Sequence, residues 1–64
     1  MKSTGNRVQA RREALGWSRE DLAKKLGITA LKVWRIETGK RKIATDELPW
    51  LARALKMQPA ELVA

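Results

Sequence analysis

The side chains of this chain that could do chemistry are mainly cations and hydroxyl groups, concentrated between Ser18 and Lys42. The chain has no His and no Cys, and its carboxylates and hydroxyls form no catalytic set. We therefore expect no enzymatic activity, no metal site and no cofactor. The net charge is +7, and residues 1–42 hold twelve Lys or Arg against four Asp or Glu, whereas residues 43–64 hold two against three. A one-sided basic surface is typical of nucleic-acid binders, although a merely solvated basic surface has the same composition.

The segment Arg19–Thr38 predicts two helices joined by a tight turn. The apolar residues of the first helix recur at helical spacing: Leu22, Ala23 and Leu26. Gly27 follows, where a left-handed conformation can end a helix, and Thr29 can cap the next helix at a backbone N–H near Lys32. The buried stripe of the second helix consists of Val33 and Ile36. Two helices joined by three or four residues that include a Gly form a helix-turn-helix.

This segment resembles the helix-turn-helix of phage repressors and Cro-like proteins, often called the XRE type. The resemblance is carried by Leu22, Ala23, Leu26, Gly27, Ile28, Val33, Ile36, Glu37 and Gly39. It extends from about Arg7 to Leu62 and so covers almost the whole chain. It implies an all-α fold, a compact five-helix lambda-repressor-like DNA-binding domain with the helix-turn-helix at helices 2 and 3. We expect a single domain at residues 1–64, with a flexible tail at residues 1–4.

The other elements must hold this motif in place. Helix 1 is predicted at about residues 5–15 with Ser3 or Thr4 as its cap, helix 4 at roughly Thr45–Lys56, and helix 5 at Pro59–Val63. Pro49 falls at the end of the first turn of helix 4, where it either removes a hydrogen bond or shifts the start of the helix. The expected core consists of Val8, Leu15, Trp17, Leu22, Ala23, Leu26, Ile28, Val33, Ile36, Leu48, Leu51, Ala52, Leu55 and Leu62.

Arg12 lies on the same face of helix 1 as Val8 and Leu15. A buried Arg requires a carboxylate partner. The family resemblance implies that this partner is Glu37, at the end of helix 3, so that the ion pair holds helix 1 against helix 3. The alternative is an exposed Arg12 that contacts a DNA phosphate.

The resemblance also implies that helix 3 lies in the major groove of double-stranded DNA. The positions that would face the bases are Thr29, Ala30, Leu31, Lys32, Trp34 and Arg35. Arg35 can bond O6 and N7 of a guanine, Leu31 can pack against a thymine methyl, and Lys32 can reach a guanine or a phosphate. Trp34 has three interpretations: packing on a sugar or thymine methyl, contact with a partner protein, or packing sideways onto helix 2.

A further set of residues is expected at the DNA backbone: Ser18, Arg19, Thr38, Lys40, Arg41 and Lys42. Relatives often have Gln at the position of Arg19, and a charged contact would replace a neutral one here. Three consecutive cations follow Gly39 in a loop that relatives use on phosphates. The alternative for Arg19 and for the loop is a solvated surface without contacts.

An apolar patch is predicted near the C-terminal end, formed by Trp50, Met57 and Val63. Relatives dimerise through this end, so we expect a homodimer on a near-palindromic operator and a function as a small repressor. One alternative is an antitoxin or other interaction module, with Trp50 and helix 5 binding a toxin or co-regulator. Another is the DNA-binding part of a longer repressor.

Because no apolar run or leader is recognisable, we expect a cytoplasmic, nucleoid-associated protein without membrane contact.

Overall fold

A computed structural model describes residues 3–63 of the chain. Four α-helices follow one another, α1 (Thr4–Ala14), α2 (Arg19–Leu26), α3 (Ala30–Glu37) and α4 (Leu48–Ala54). Single 3-10 turns lie at Thr45–Glu47 and Pro59–Glu61. No strand occurs within residues 3–63, which confirms the all-α prediction. None of the helices in this range is long and apolar enough to cross a membrane.

The helix-turn-helix has the local structure that its residue types predict. Ser18 begins α2 with a capping box, in which Ser18 Oγ accepts from the Asp21 backbone N–H and Asp21 accepts from the Ser18 N–H. Gly27 ends α2 at a φ of 71°, a left-handed conformation that costs glycine little. Thr29 Oγ1 accepts from the Lys32 N–H and begins α3. These caps explain why α2 and α3 are short and joined by a tight turn.

The predicted helices 4 and 5 require correction. Residues Thr45–Glu47 form a 3-10 turn, and α4 begins only at Leu48, which places Pro49 in its first turn. Pro is tolerated there because its missing N–H has no partner inside the helix. The predicted helix 5 at Pro59–Val63 is a single 3-10 turn, Pro59–Glu61. The fold therefore has four α-helices within the described range, not five.

The core lies where the four helices meet. It consists of Val8, Leu22, Ala23, Leu26, Val33, Ile36, Leu51, Ala52, Leu55 and Leu62, all buried. Trp17, Ile28 and Leu48 pack against this cluster only in part. Leu15 was expected in the core but is half-buried and outside the cluster, at the position where α1 has already ended at Ala14. Ile43, which the sequence did not predict, packs against the core instead.

Two features fix α1 against its neighbours. A Cβ on Gly5 would clash with the backbone oxygens of Ile36 and Glu37, so the start of α1 approaches the end of α3 closely. Arg11 donates from Nε to the Leu55 carbonyl (2.9 Å) and from Nη2 to the Lys56 carbonyl (3.1 Å), which satisfies the end of α4. Ser3 caps α1 and Thr4 is its first residue, while residues 1 and 2 of the predicted flexible tail lie outside the described range.

Candidate nucleic-acid interface

The outer face of α3 exposes apolar, aromatic and cationic side chains together. Leu31 is 53% exposed and Trp34 38% exposed, although both are large and apolar. Lys32 and Arg35 are exposed on the same short helix. The inner face is formed by Val33, Ile36 and Glu37, all buried. An eight-residue helix is about 12 Å long, close to the width of a B-DNA major groove.

The first residues of α3 are less available than the other predicted base-contacting positions. Thr29 is exposed, but its hydroxyl oxygen already accepts the capping hydrogen bond from Lys32. Ala30 is half-buried and packs against the core. Trp34, by contrast, lies outside the core cluster, so α3 presents its indole at the surface.

The C-terminal end of α3 is built around the carboxylate of Glu37, whose side chain is fully buried. Arg12 donates from Nε to Oε2 (2.6 Å) and from Nη2 to Oε1 (3.2 Å). Its third nitrogen, Nη1, donates to the Trp17 carbonyl at 2.8 Å. The bond from Arg12 to Glu37 is also the main cause that raises the pKa of Arg12. The structure thus contains the ion pair between α1 and α3 that the family resemblance implies.

Arg19, expected at the DNA backbone, occupies the same cluster. Its Nε donates to Oε1 of Glu37 at 2.9 Å, and its side chain remains 36% exposed. Neighbouring Ser18 is exposed, with its hydroxyl oxygen engaged in the cap of α2. Backbone and side-chain hydrogen bonds from Ser18 lower the pKa of Asp21, so this cap keeps its carboxylate charged.

The basic loop after α3 folds back onto the helix, because the Arg41 N–H donates to the Arg35 carbonyl at 3.1 Å. Thr38 Oγ1 donates to the Trp34 carbonyl at 2.8 Å. Lys40 and Lys42 are exposed on either side of Arg41. The predicted phosphate-contacting residues of the loop therefore follow the end of α3 at which Arg19 bonds Glu37.

Arg41 is not a free cation in this arrangement. Its two Nη atoms donate to the Glu47 carboxylate at 2.8 and 3.2 Å, and the Ala44 N–H donates to the same carboxylate. The hydrogen bond from Arg41 is the main cause that lowers the pKa of Glu47, and the same bond raises the pKa of Arg41. A phosphate contact by Arg41 has to compete with this pair or share its guanidinium.

The residues of the predicted dimer interface do not form one depression. Trp50, 38% exposed, lines a shallow depression together with Asp46, Pro49 and Arg53. Met57 is half-buried and lines another depression, with Arg7, Ala10, Arg11 and Glu61. Val63 is exposed at the end of the described range.

Three contacts in and around the C-terminal end of α3 and the basic loop were not predicted from the sequence: Arg19 with Glu37, Arg41 with Glu47, and Gly5 with the α3 backbone. Glu37 was assigned to Arg12 alone, and no spacing rule signals that a second Arg shares it. Arg41 and Glu47 are six residues apart across a loop, where neither helical nor strand periodicity applies. One sequence feature could have indicated the close approach of α1 to α3, namely a Gly in the first turn of a helix, here Gly5.

Comparison with known proteins agrees with this geometry. The profile of a helix-turn-helix domain family matches residues 4–64. The crystal structure of the restriction-modification controller protein C.AhdI from Aeromonas hydrophila has a TM-score of 0.84 and 36% sequence identity, and the match covers 92% of this chain and 89% of C.AhdI. No curated protein sequence gives a match. The chain belongs to the XRE/Cro-like helix-turn-helix family of DNA-binding transcription regulators.

Proposed function

We propose that this chain is a sequence-specific regulator that binds double-stranded DNA, a small repressor acting as a homodimer on a near-palindromic operator. The observation that carries the proposal is the outer face of α3, where Leu31, Lys32, Trp34 and Arg35 are exposed together. In a helix-turn-helix this face enters the major groove. Large apolar side chains are costly to leave in water, and contact with thymine methyl groups and sugars would remove them from it.

The charge distribution supports DNA as the partner. The net positive charge belongs to residues 1–42, which include α2, α3 and the basic loop. Arg19 bonds Glu37 at the end of α3, and the exposed Lys40 and Lys42 follow in the basic loop, so these cations would flank the duplex backbone. Contacts of this kind position the helix, while the side chains on α3 read the bases.

Selection of bound sites from random duplexes tests this proposal directly. We expect enrichment of a near-palindromic sequence with half-site centres about one DNA turn, roughly 34 Å, apart. Affinity for the selected site should fall steeply with salt, with a slope of log K against log salt of about −7 if roughly eight phosphates are contacted. Equal affinity for every duplex would contradict sequence-specific regulation.

The homodimer is proposed to form through the surface around Trp50. Asp46 and Arg53 line the same depression as Trp50, so the patch carries an apolar centre with both charge signs beside it. In a two-fold dimer each copy presents the same patch, and Asp46 of one copy would face Arg53 of the other. Light scattering with and without operator DNA measures this association, and a monomer under both conditions would contradict it.

A more specific role is favoured by the similarity to C.AhdI, a restriction-modification controller that is 36% identical over 92% of this chain. On this second candidate function, the regulated genes would encode a restriction enzyme, its methyltransferase or the chain itself. The selected site should then occur upstream of such genes in the source genome. Its absence there, together with a site upstream of unrelated genes, would reject this role while retaining sequence-specific DNA binding.

A further inference from the structure

The carboxylate of Glu37 is shared by two guanidinium groups, and among the described residues only that of Arg19 has nitrogens without a hydrogen-bond partner. Arg12 is buried and uses Nε, Nη1 and Nη2 within the protein. Arg19 uses Nε on Glu37, and among the described residues its Nη groups have no recorded hydrogen-bond partner. One negative charge thus faces two positive charges, and the surplus positive charge reaches the surface at Arg19, whose side chain is 36% exposed.

The position of Arg19 makes this surplus charge relevant to DNA. Arg19 is the first residue of α2 and directly follows the cap Ser18. Its bond to Glu37 places the guanidinium beside the C-terminal end of α3, where the basic loop also returns. An anion held by the Nη groups of Arg19 would therefore lie at the edge of the proposed DNA-binding face.

We infer that Glu37 is a positioning residue that holds Arg19 for a DNA phosphate, in addition to joining α1 to α3. The planar guanidinium can donate from Nε to the buried carboxylate and from its Nη groups to a phosphate at the same time. Since the side chain is already held, less conformational freedom is lost when DNA binds. This inference rests on the proposed function and adds a coupling between the buried cluster and the DNA backbone.

Two substitutions of Arg19 separate charge from positioning. Arg19→Gln removes one phosphate contact, so the salt slope should become shallower by about 0.9 per bound copy of the chain. Arg19→Lys keeps the charge but cannot donate to Glu37 and to a phosphate from one planar group. The salt slope should therefore be retained, while affinity falls about tenfold, the equivalent of one charge-assisted hydrogen bond. Lys56→Gln, which removes one exposed positive charge after α4, outside the helix-turn-helix and the proposed dimer surface, should leave the slope unchanged.

The coupling to Glu37 is measured with a double-mutant cycle on the selected duplex. Glu37→Gln should weaken DNA binding more in the wild-type background than in the Arg19→Gln background, where only its pairing with Arg12 is lost. Circular dichroism checks folding, and if Glu37→Gln does not fold, the contrast between Arg19→Lys and Arg19→Gln decides alone. Arg19 variants with a lower melting temperature but the wild-type slope and affinity would overturn the inference and leave Arg19 a structural residue. Failure of the wild-type chain to prefer any duplex would instead contradict the proposed function.

Discussion

Arg35 is the residue of α3 whose chemistry is best suited to distinguishing one base pair from another. It is exposed on the outer face, and only its backbone carbonyl is engaged by the loop, through the Arg41 N–H. Its guanidinium can donate two parallel hydrogen bonds to O6 and N7 of guanine. Discrimination by such a pair is worth about 1–3 kcal/mol.

We therefore predict that Arg35→Ala weakens binding selectively at the guanine it reads. Dissociation constants measured on a panel of operators, each with one base pair changed, should lose their preference at one position of the half-site. Lys42→Ala is the control, because loss of a phosphate contact should weaken all duplexes about equally and make the salt slope shallower by about 1. A uniform loss for Arg35→Ala would reassign Arg35 to the DNA backbone.

Gly5 is important for packing because it has no Cβ atom. A Cβ there would lie 2.8 Å from the Glu37 carbonyl oxygen and would also clash with the Ile36 carbonyl. Both obstacles are backbone atoms, which cannot rotate away as a flexible side chain can. The same two helices are also joined by the bond from Arg12 to Glu37.

Gly5→Ala is therefore expected to destabilise the protein despite the better helix propensity of Ala. Overpacking of this kind costs about 1–3 kcal/mol, against a propensity gain of about 1 kcal/mol. Asn6→Ala changes the exposed neighbour in the same helical turn and should be neutral or slightly stabilising. Urea midpoints of the two variants measure the difference, and equal midpoints would show that α1 can shift without cost.

At the scale of elements, residue types predict the helix-turn-helix well because its signals are local. Gly27 and Thr29 act within four residues of their own positions, and each is found in the predicted role. The later elements were predicted less well, since Pro49 shifts the start of α4 and the segment after Pro59 forms only one 3-10 turn.

Contacts between elements were predicted only where a buried charge demanded a partner. A buried Arg12 on an apolar face requires a carboxylate partner, and the family resemblance identified that partner as Glu37. Arg19 and Arg41 are half-exposed or exposed, so nothing in the sequence requires them to pair. Their partners depend on how the loop and α2 approach the end of α3, which is a property of the folded chain.

The pair of Arg41 and Glu47 ties the basic loop to the 3-10 turn before α4, and its strength should depend on pH. Hydrogen bonds from Arg41 and then Ala44 lower the pKa of Glu47 below its usual value of 4.5. The unfolded chain therefore binds a proton more readily than the folded one. The stabilisation is fully present above about pH 4.5 and is lost as the pH falls through the lowered pKa of the folded state.

We predict that Glu47→Gln makes thermal stability less dependent on pH below 4.5. Part of the dependence should remain, because hydrogen bonds from Ser18 also lower the pKa of Asp21. Glu20→Gln is the charge-matched control, since Glu20 is exposed on α2 and the bonds of Arg41 go to Glu47. Melting temperatures between pH 2 and 6 test this, and identical curves for wild type and Glu47→Gln would mean that the pair contributes nothing.

At the scale of the whole molecule, the two most exposed tryptophans of the described range lie on surfaces of different character. Trp34 is on the outer face of α3 within the basic part of the chain, and Trp50 is on α4 beside Asp46 and Arg53. Each is 38% exposed. The proposed function assigns DNA contact to Trp34 and self-association to Trp50, so equal truncations at the two positions should have different effects.

On a duplex with a single half-site, Trp34→Ala should weaken binding about tenfold, because the indole no longer covers a sugar or thymine methyl, whereas Trp50→Ala should have no effect. On a duplex with two half-sites both variants should bind more weakly, Trp50→Ala because the two copies no longer support each other. Fluorescence anisotropy on both duplexes, with sedimentation of the free proteins, measures each effect. If Trp34→Ala weakens only the self-association measured by sedimentation and leaves DNA affinity unchanged, α3 is a protein-binding surface. A helix that lies in the major groove must lose DNA affinity when its largest exposed side chain is removed.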